Sequence, residues 1–302
     1  MLSTALCIGC VLHGAAWADL TIEGIHSPGM YGGVEREVIY LRDNQMRIDR
    51  LPAPTADHGQ DNKSDSGPGS DVASSVLTRF SGSPAGMLYL EHESKRVQII
   101  SSLREIGSDQ SASEVPIVMQ GETREMLGRT AHRYDFSFTG SVDPLVLLGQ
   151  QLPTGLAALV RIDLQVTGTA WVAPDMEGAN ELADFFAQLS KRQLIIQPLG
   201  QAGAETAQDL SILSPELSKA FTAVAAQITR AGFPLKIQTQ SQTNIYPQGS
   251  VAILIQGMLD TLGIASQQST ESVVTAVNTG KVPPELFYGG LLPPGYSLNT
   301  PQ

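Results

Sequence analysis

Beyond its tenth residue this chain has no cysteine: Cys7 and Cys10 are the only two among 302 residues. A product trimmed past them has no disulfide, no thiolate metal site and no cysteine nucleophile. Basic residues are also scarce. Nineteen Lys and Arg stand against 30 Asp and Glu, for a formal charge of -11 and a pI near 4.9. That balance argues against nucleic acid and anionic lipid surfaces as electrostatic partners. After the N-terminus no run reaches the roughly 18 consecutive apolar residues of a membrane-spanning helix. Missing too are the G-x-S-x-G elbow, the H-E-x-x-H zinc motif, the Walker loop and the dinucleotide glycine fingerprint. His26, His58, His92 and His132 are scattered, and Asp57, Asp61 and Asp65 lack the spacing and closing Glu of a calcium loop. The expectation is a protein that is not an enzyme, with no catalytic residue, no cofactor and no metal.

What is present begins with a leader. The segment MLSTALCIGCVLHGAAWA carries no Lys, Arg, Asp or Glu and closes on Ala16-Trp17-Ala18 before Asp19. An apolar run ended by A-x-A reads as a secretory signal cut after Ala18, which predicts a periplasmic or extracellular protein. The remaining 284 residues (302 less 18) are read as one α+β domain, 19–302. Residues 55–75 (TADHGQDNKSDSGPGSDVASS) are Ser, Gly and Asp with hardly a large apolar side chain. They are expected to be a disordered surface insert.

The rest of the chain is mostly strand-like. Met46 and Ile48 alternate with Arg47 and Asp49. Met87–Leu90 and Arg96–Ile100 flank a turn and predict a hairpin. In the run from Arg129 to Phe138, His132, Tyr134, Phe136 and Phe138 share one face. From Val160, the residues Ile162, Leu164 and Val166 alternate with Arg161, Asp163, Gln165 and Thr167, which is the period of a sheet with one dry face. Trp171 falls in the polar row of that strand unless the chain bulges at Gly168, and a bulge there is expected.

Two helices are legible. One carries Leu182, Phe185, Phe186 and Leu189 at i, i+3, i+4, i+7 spacing, directly after the Pro174–Gly178 turn, and is expected to cover the dry face of the strand before it. The other starts at Ser214-Pro215-Glu216, carries Leu217, Phe221, Val224 and Ile228, and ends at Gly232-Phe233-Pro234. A strand follows from Pro234, and another runs from Glu271 to Asn278. Val251–Ile264 is apolar nearly all round, and helix and strand both remain open for it.

The segments YLRDNQMRID, YLEHESKR, LGRTAHRYDF, GTAWVAPD, GFPLKIQT and ELFYGGLLPPGY occur in that order. Together they resemble an exported bacterial family defined as a domain of unknown function, with an architecture like that of the LolA/LolB lipoprotein carriers. The resemblance spans most of the chain after the leader and brings no catalytic residues. It implies a curved antiparallel β-sheet, an incomplete barrel, with helices covering its concave face.

Two functions follow as expectations. One is an apolar-ligand protein that binds a lipid or a lipoprotein acyl chain against Tyr134, Phe136, Ile162, Leu164, Val166, Trp171, Phe185 and Phe186. The alternative is a cell-envelope structural or protein-interaction module whose same residues form a sealed core. A hydrolase with a site assembled only in space is the third reading.

Overall fold

The structure is a computed structural model, described here for residues 19–27, 34–51, 72–80, 86–102, 115–142, 160–190, 215–247, 267–290 and 292–299. The predicted leader (1–18), the Val251–Ile264 segment and most of the 55–75 insert lie outside the described residues. The C-terminal end of that insert does not. Ser74 and Ser75 belong to a strand, so the expected boundary runs two residues too far.

Among the described residues twelve strands form one sheet: β1 (Leu20–Ser27), β2 (Glu35–Arg42), β3 (Gln45–Leu51), β4 (Ser74–Arg79), β5 (Gly86–Glu91), β6 (Arg96–Ser102), β7 (Ile117–Met126), β8 (Arg129–Val142), β9 (Val160–Ala173), β10 (Phe233–Pro247), β11 (Gln267–Thr279) and β12 (Ser297–Asn299). Their spatial order is β12-β6-β5-β4-β3-β2-β1-β11-β10-β9-β8-β7. Strands β1–β6 and β7–β11 are two antiparallel meanders, and β1 joins them by pairing with β11, Leu20 opposite Thr279. Only β12 is parallel to its neighbour, β6. Among the described strands the sheet is not closed between β12 and β7. Local chemistry sets several turns. Asp43 and Asn44, both at positive φ, make the two-residue link between β2 and β3, a position that favours such side chains.

Among the described residues two helices, α1 (Ala179–Ser190) and α2 (Pro215–Ala231), pack on one face of this sheet. The α1 residues Leu182, Phe185, Phe186 and Leu189 meet Leu20, Ile22, Ile39, Leu41, Met46 and Ile48. The α2 residues Leu217, Val224 and Ile228 meet Phe136, Phe138, Ile162 and Val166, with Phe138 edge-on to Phe221 at 4.7 Å between ring centres. Gly232 ends α2 at φ 149°, where a Cβ would lie 2.6 Å from the Ala173 carbonyl oxygen, so only glycine fits this close passage onto β10.

Two expectations are corrected. The helix over Ile162, Leu164 and Val166 is α2, because the β1–β11 pairing puts the first meander beside the second and α1 covers the first one. The register of β8 and β9 runs unbroken through Gly168, which sits opposite Phe136, so no bulge forms there. The irregularity lies on the partner strand instead, between Pro234 and Lys236, where proline and the extra residue Leu235 interrupt the ladder. Trp171 therefore stays in the row of Thr167 and Thr169, opposite Arg133 and Lys236, half-buried.

The opposite face of the sheet has its own cover at one end. Residues 282–290, including a 3-10 turn at Pro284–Gly290, and 292–296 lie across β3–β6 and pack Val282, Phe287 and Tyr296 on Leu77, Leu88, Leu90 and Val97. The row of β3 that alternation marks as polar is thus covered, and Arg47 and Asp49 are buried.

Candidate functional site

The eight apolar positions picked out as a ligand wall do not share one wall. Tyr134, Phe136, Ile162, Leu164 and Val166 belong to the core under α2 or pack against it, whereas Phe185 and Phe186 belong to the core under α1 and the half-buried Trp171, in the outer row of β9, only packs against the edge of that cluster. Phe185 and Phe186 are 0 % and 1 % exposed, with their rings edge-on at 5.6 Å and Phe80 at 5.1 Å from Phe185. Phe136 stands over Gly168, where a Cβ would be 2.1 Å from the ring. Phe136, Ile162, Val166, Phe185 and Phe186 are each buried in side-chain contacts between helices and sheet.

Among the described residues a dense polar constellation lies under the C-terminal segment, and no local spacing announces it. Arg47 Nε donates to Asp49 Oδ1 at 2.5 Å, two residues along the same face of β3. Arg47 Nη1 donates to the Leu286 carbonyl and to the Tyr288 hydroxyl, both at 2.9 Å, and its guanidinium lies 5.4 Å from the centre of the Tyr288 ring. Ser75 Oγ donates to Asp49 Oδ1 at 2.5 Å and accepts from Arg47 Nη2 at 3.2 Å. His92 Nε2 is 2.6 Å from Ser75 Oγ, and His92 Nδ1 is bonded to the Tyr296 hydroxyl. Desolvation by burial holds the His92 pKa below its usual value, and the positive charge of Arg47 acts in the same direction. Burial works against the Arg47 charge, but Asp49 more than offsets it and the guanidinium pKa is raised.

The serine, histidine and aspartate here do not form a nucleophile. The one Ser75 proton goes to Asp49, so neutral His92 must donate its Nε2–H to Ser75 and accept from Tyr296 at Nδ1. A base that donates to the serine cannot take its proton. The constellation instead fastens Leu286, Tyr288 and Tyr296 to the sheet through a carbonyl and two tyrosine hydroxyls.

A second buried histidine, His26, has its Nδ1 3.0 Å from Ser272 Oγ across the β1–β11 seam. Burial, helped by Arg50, lowers its pKa to about 4, so it is neutral in the fold. Among the described residues no group of three or more His, Cys, Asp or Glu could hold a metal ion.

The sheet edge at β7 is uneven. Four residue steps from Met119 to Thr123 span only two on β8, from Tyr134 to His132, and the bulge puts Glu122 in a two-pronged contact with Arg133 at 3.0 and 3.1 Å. Pro116 and the charged residues Glu122, Arg124 and Glu125 guard much of this edge, as exposed edges commonly are. Val118 and Met119 are the exception, 54 % and 61 % exposed.

No family model matches the chain, and no curated protein matches it. Of solved structures, the one described as "Structure of PNGF-II in C2 space group" aligns over 93 % of this chain and 30 % of that chain, at 11 % identity and a TM-score of 0.32. The chain thus spans under a third of that protein, and a likeness of this degree carries no argument about fold or function. No described helix is long and apolar enough to cross a membrane.

Proposed function

We propose that this chain is an exported, non-catalytic protein of the cell envelope that recognises a partner protein through the β7 edge of its sheet. The observation that carries the reading is the contrast between buried apolar side chains and, among the described strands, an edge that bears exposed apolar residues. Phe185, Phe186, Ile162 and Val166 are buried in side-chain contacts, while Val118 and Met119 stand in solvent on an edge strand whose neighbouring half is guarded by a bulge and charges. An extended partner segment adds to such an edge by backbone hydrogen bonds, and apolar side chains at alternate positions give it register. The guarded half restricts the contact to partners that fit the Val118–Met119 end.

A photo-crosslinking residue at Met119, compared with one at Ser137 on the outer face of β8, tests this in the native cell. The reading expects a discrete protein adduct from position 119 that disappears with Val118→Lys and is missing from position 137. Adducts from 137 but not from 119 would contradict it.

Carriage of a lipid or lipoprotein acyl chain is the second reading. The aromatic contact of Phe80, Phe185 and Phe186 between α1 and the sheet favours it, because lifting α1 would open a greasy slot there. The resemblance to a LolA/LolB-like incomplete barrel points the same way.

A further inference from the structure

On the face of β8–β11 opposite the helices lies a groove of about 450 Å³, and we propose that it binds a neutral oligosaccharide. Its lining comes from four adjacent strands: Asp135 beside Arg133, Thr167 and Thr169, Gln238 and Gln240, and Ser269. Register puts these side chains on one face, with Thr169 opposite Asp135 and Gln238, and Ser269 opposite Gln240.

Charge complementarity selects the ligand class. The protein carries -11, yet this face is electrically compensated. Arg133 is bound by Asp135 at 2.9 Å and by Glu122 at 3.0 Å. Further along the same face, Arg161 is held by Asp163 at 2.9 Å and Lys236 by Glu271 at 3.0 Å. Among the described residues that line the groove no cation is left over for a phosphate or carboxylate, and the lining is too polar for a lipid. What remains are amides and hydroxyls. Thr169 Oγ1 donates to Asp135 Oδ1 at 3.0 Å, and the Gln238 amide is engaged by Glu271. The exposed Gln240 amide and Ser269 hydroxyl, by contrast, have no hydrogen-bond partner among the described residues. Such groups, repeated roughly 5 Å apart across strands and 7 Å apart along them, both donate and accept. A sugar ring presents hydroxyls that do the same at similar spacing. It can therefore exchange its water hydrogen bonds for protein ones without burying a charge, which an ionic ligand could not do here. The volume is that of an ordinary small-molecule site, roughly 300–1,000 Å³. Trp171 follows Thr169 in the same row, opposite Arg133 of the groove, and reports on it optically.

The test titrates the exported product separately with maltohexaose, cellohexaose and N-acetylchitohexaose, following Trp171 fluorescence and backbone amide NMR shifts. At least one of these sugars should give a saturable response confined to β8–β11. Gln240→Ala combined with Ser269→Ala, both at exposed positions, should weaken that binding roughly tenfold while the thermal midpoint stays put. Thr167→Arg, which adds bulk and an uncompensated charge, should abolish it. The proposal is overturned by no saturable response to any of the three at millimolar concentration. A response that the double variant leaves unchanged, or tighter binding of the anionic polymer polygalacturonate, overturns it equally.

Discussion

The Phe136 ring occupies the space that a side chain at Gly168 would fill: a Cβ built there lies 2.1 Å from Cζ and 2.6 Å from Cε2. The two residues face each other across β8 and β9, and the ring lies in the core under α2. Gly168→Ala should therefore destabilise the fold by overpacking, by ~1–3 kcal/mol. Pairing it with Phe136→Leu should recover part of that loss, read as a non-additive double-mutant cycle in urea denaturation. Simple additivity would mean that the ring is not what excludes a side chain.

The buried histidines predict an acid-sensitive fold. Both His26 and His92 have folded-state pKa values below their ordinary 6.5, that of His26 being about 4. As the pH falls below about 6.5 the unfolded chain takes up protons that the folded chain refuses, so stability falls until the folded-state pKa is passed. His26 alone contributes on the order of 3 kcal/mol between pH 6.5 and 4. Glu37 acts in the opposite sense, because burial raises its pKa and the folded state protonates first. Urea midpoints measured from pH 7 to pH 4 should decline, and His26→Asn should flatten the decline. An unchanged slope in that variant would contradict the assignment.

Asp49 keeps a buried guanidinium neutralised, and both side chains of the pair are 6 % exposed. Asp49→Asn should cost ~3–5 kcal/mol by leaving that charge unpaired. Because Arg47 also holds Leu286 and Tyr288, the same change should speed hydrogen exchange in residues 284–296 before the rest of the sheet. Uniform exchange across the sheet would mean that the network does not fasten the C-terminal segment.

Local periodicity made much of this fold legible. The alternation of Val160–Thr167, the Pro215 start and Gly232 end of α2, and the hairpin around Glu91–Ser94 all have their cause within a few residues. What each apolar face meets was not legible, because the β1–β11 pairing that assigns α1 to one meander and α2 to the other joins residues some 250 positions apart. Alternation also misreads Arg47 and Asp49. A polar row looks solvent-facing until a segment from the far end of the chain lies across it. The constellation of Arg47, Ser75, His92 and Tyr296 has no spacing to find, and Ser75 even falls in a stretch whose composition reads as disorder. The signal for the outer-face groove was present, as the Gln, Thr and Ser of β9, β10 and β11, but such rows also mark any solvated sheet face.

The most direct measurement concerns Phe185. If Phe185 is packed as core between α1 and the sheet, recognition falls to the β7 edge and the outer face. Phe185→Ala should then cost ~3–5 kcal/mol of unfolding free energy, the loss expected when a void opens in a packed core. The wild-type protein should not bind a fluorescent fatty-acid probe. Near-neutral stability of Phe185→Ala, together with wild-type probe binding that the substitution weakens, would contradict the account and establish the protein as a carrier.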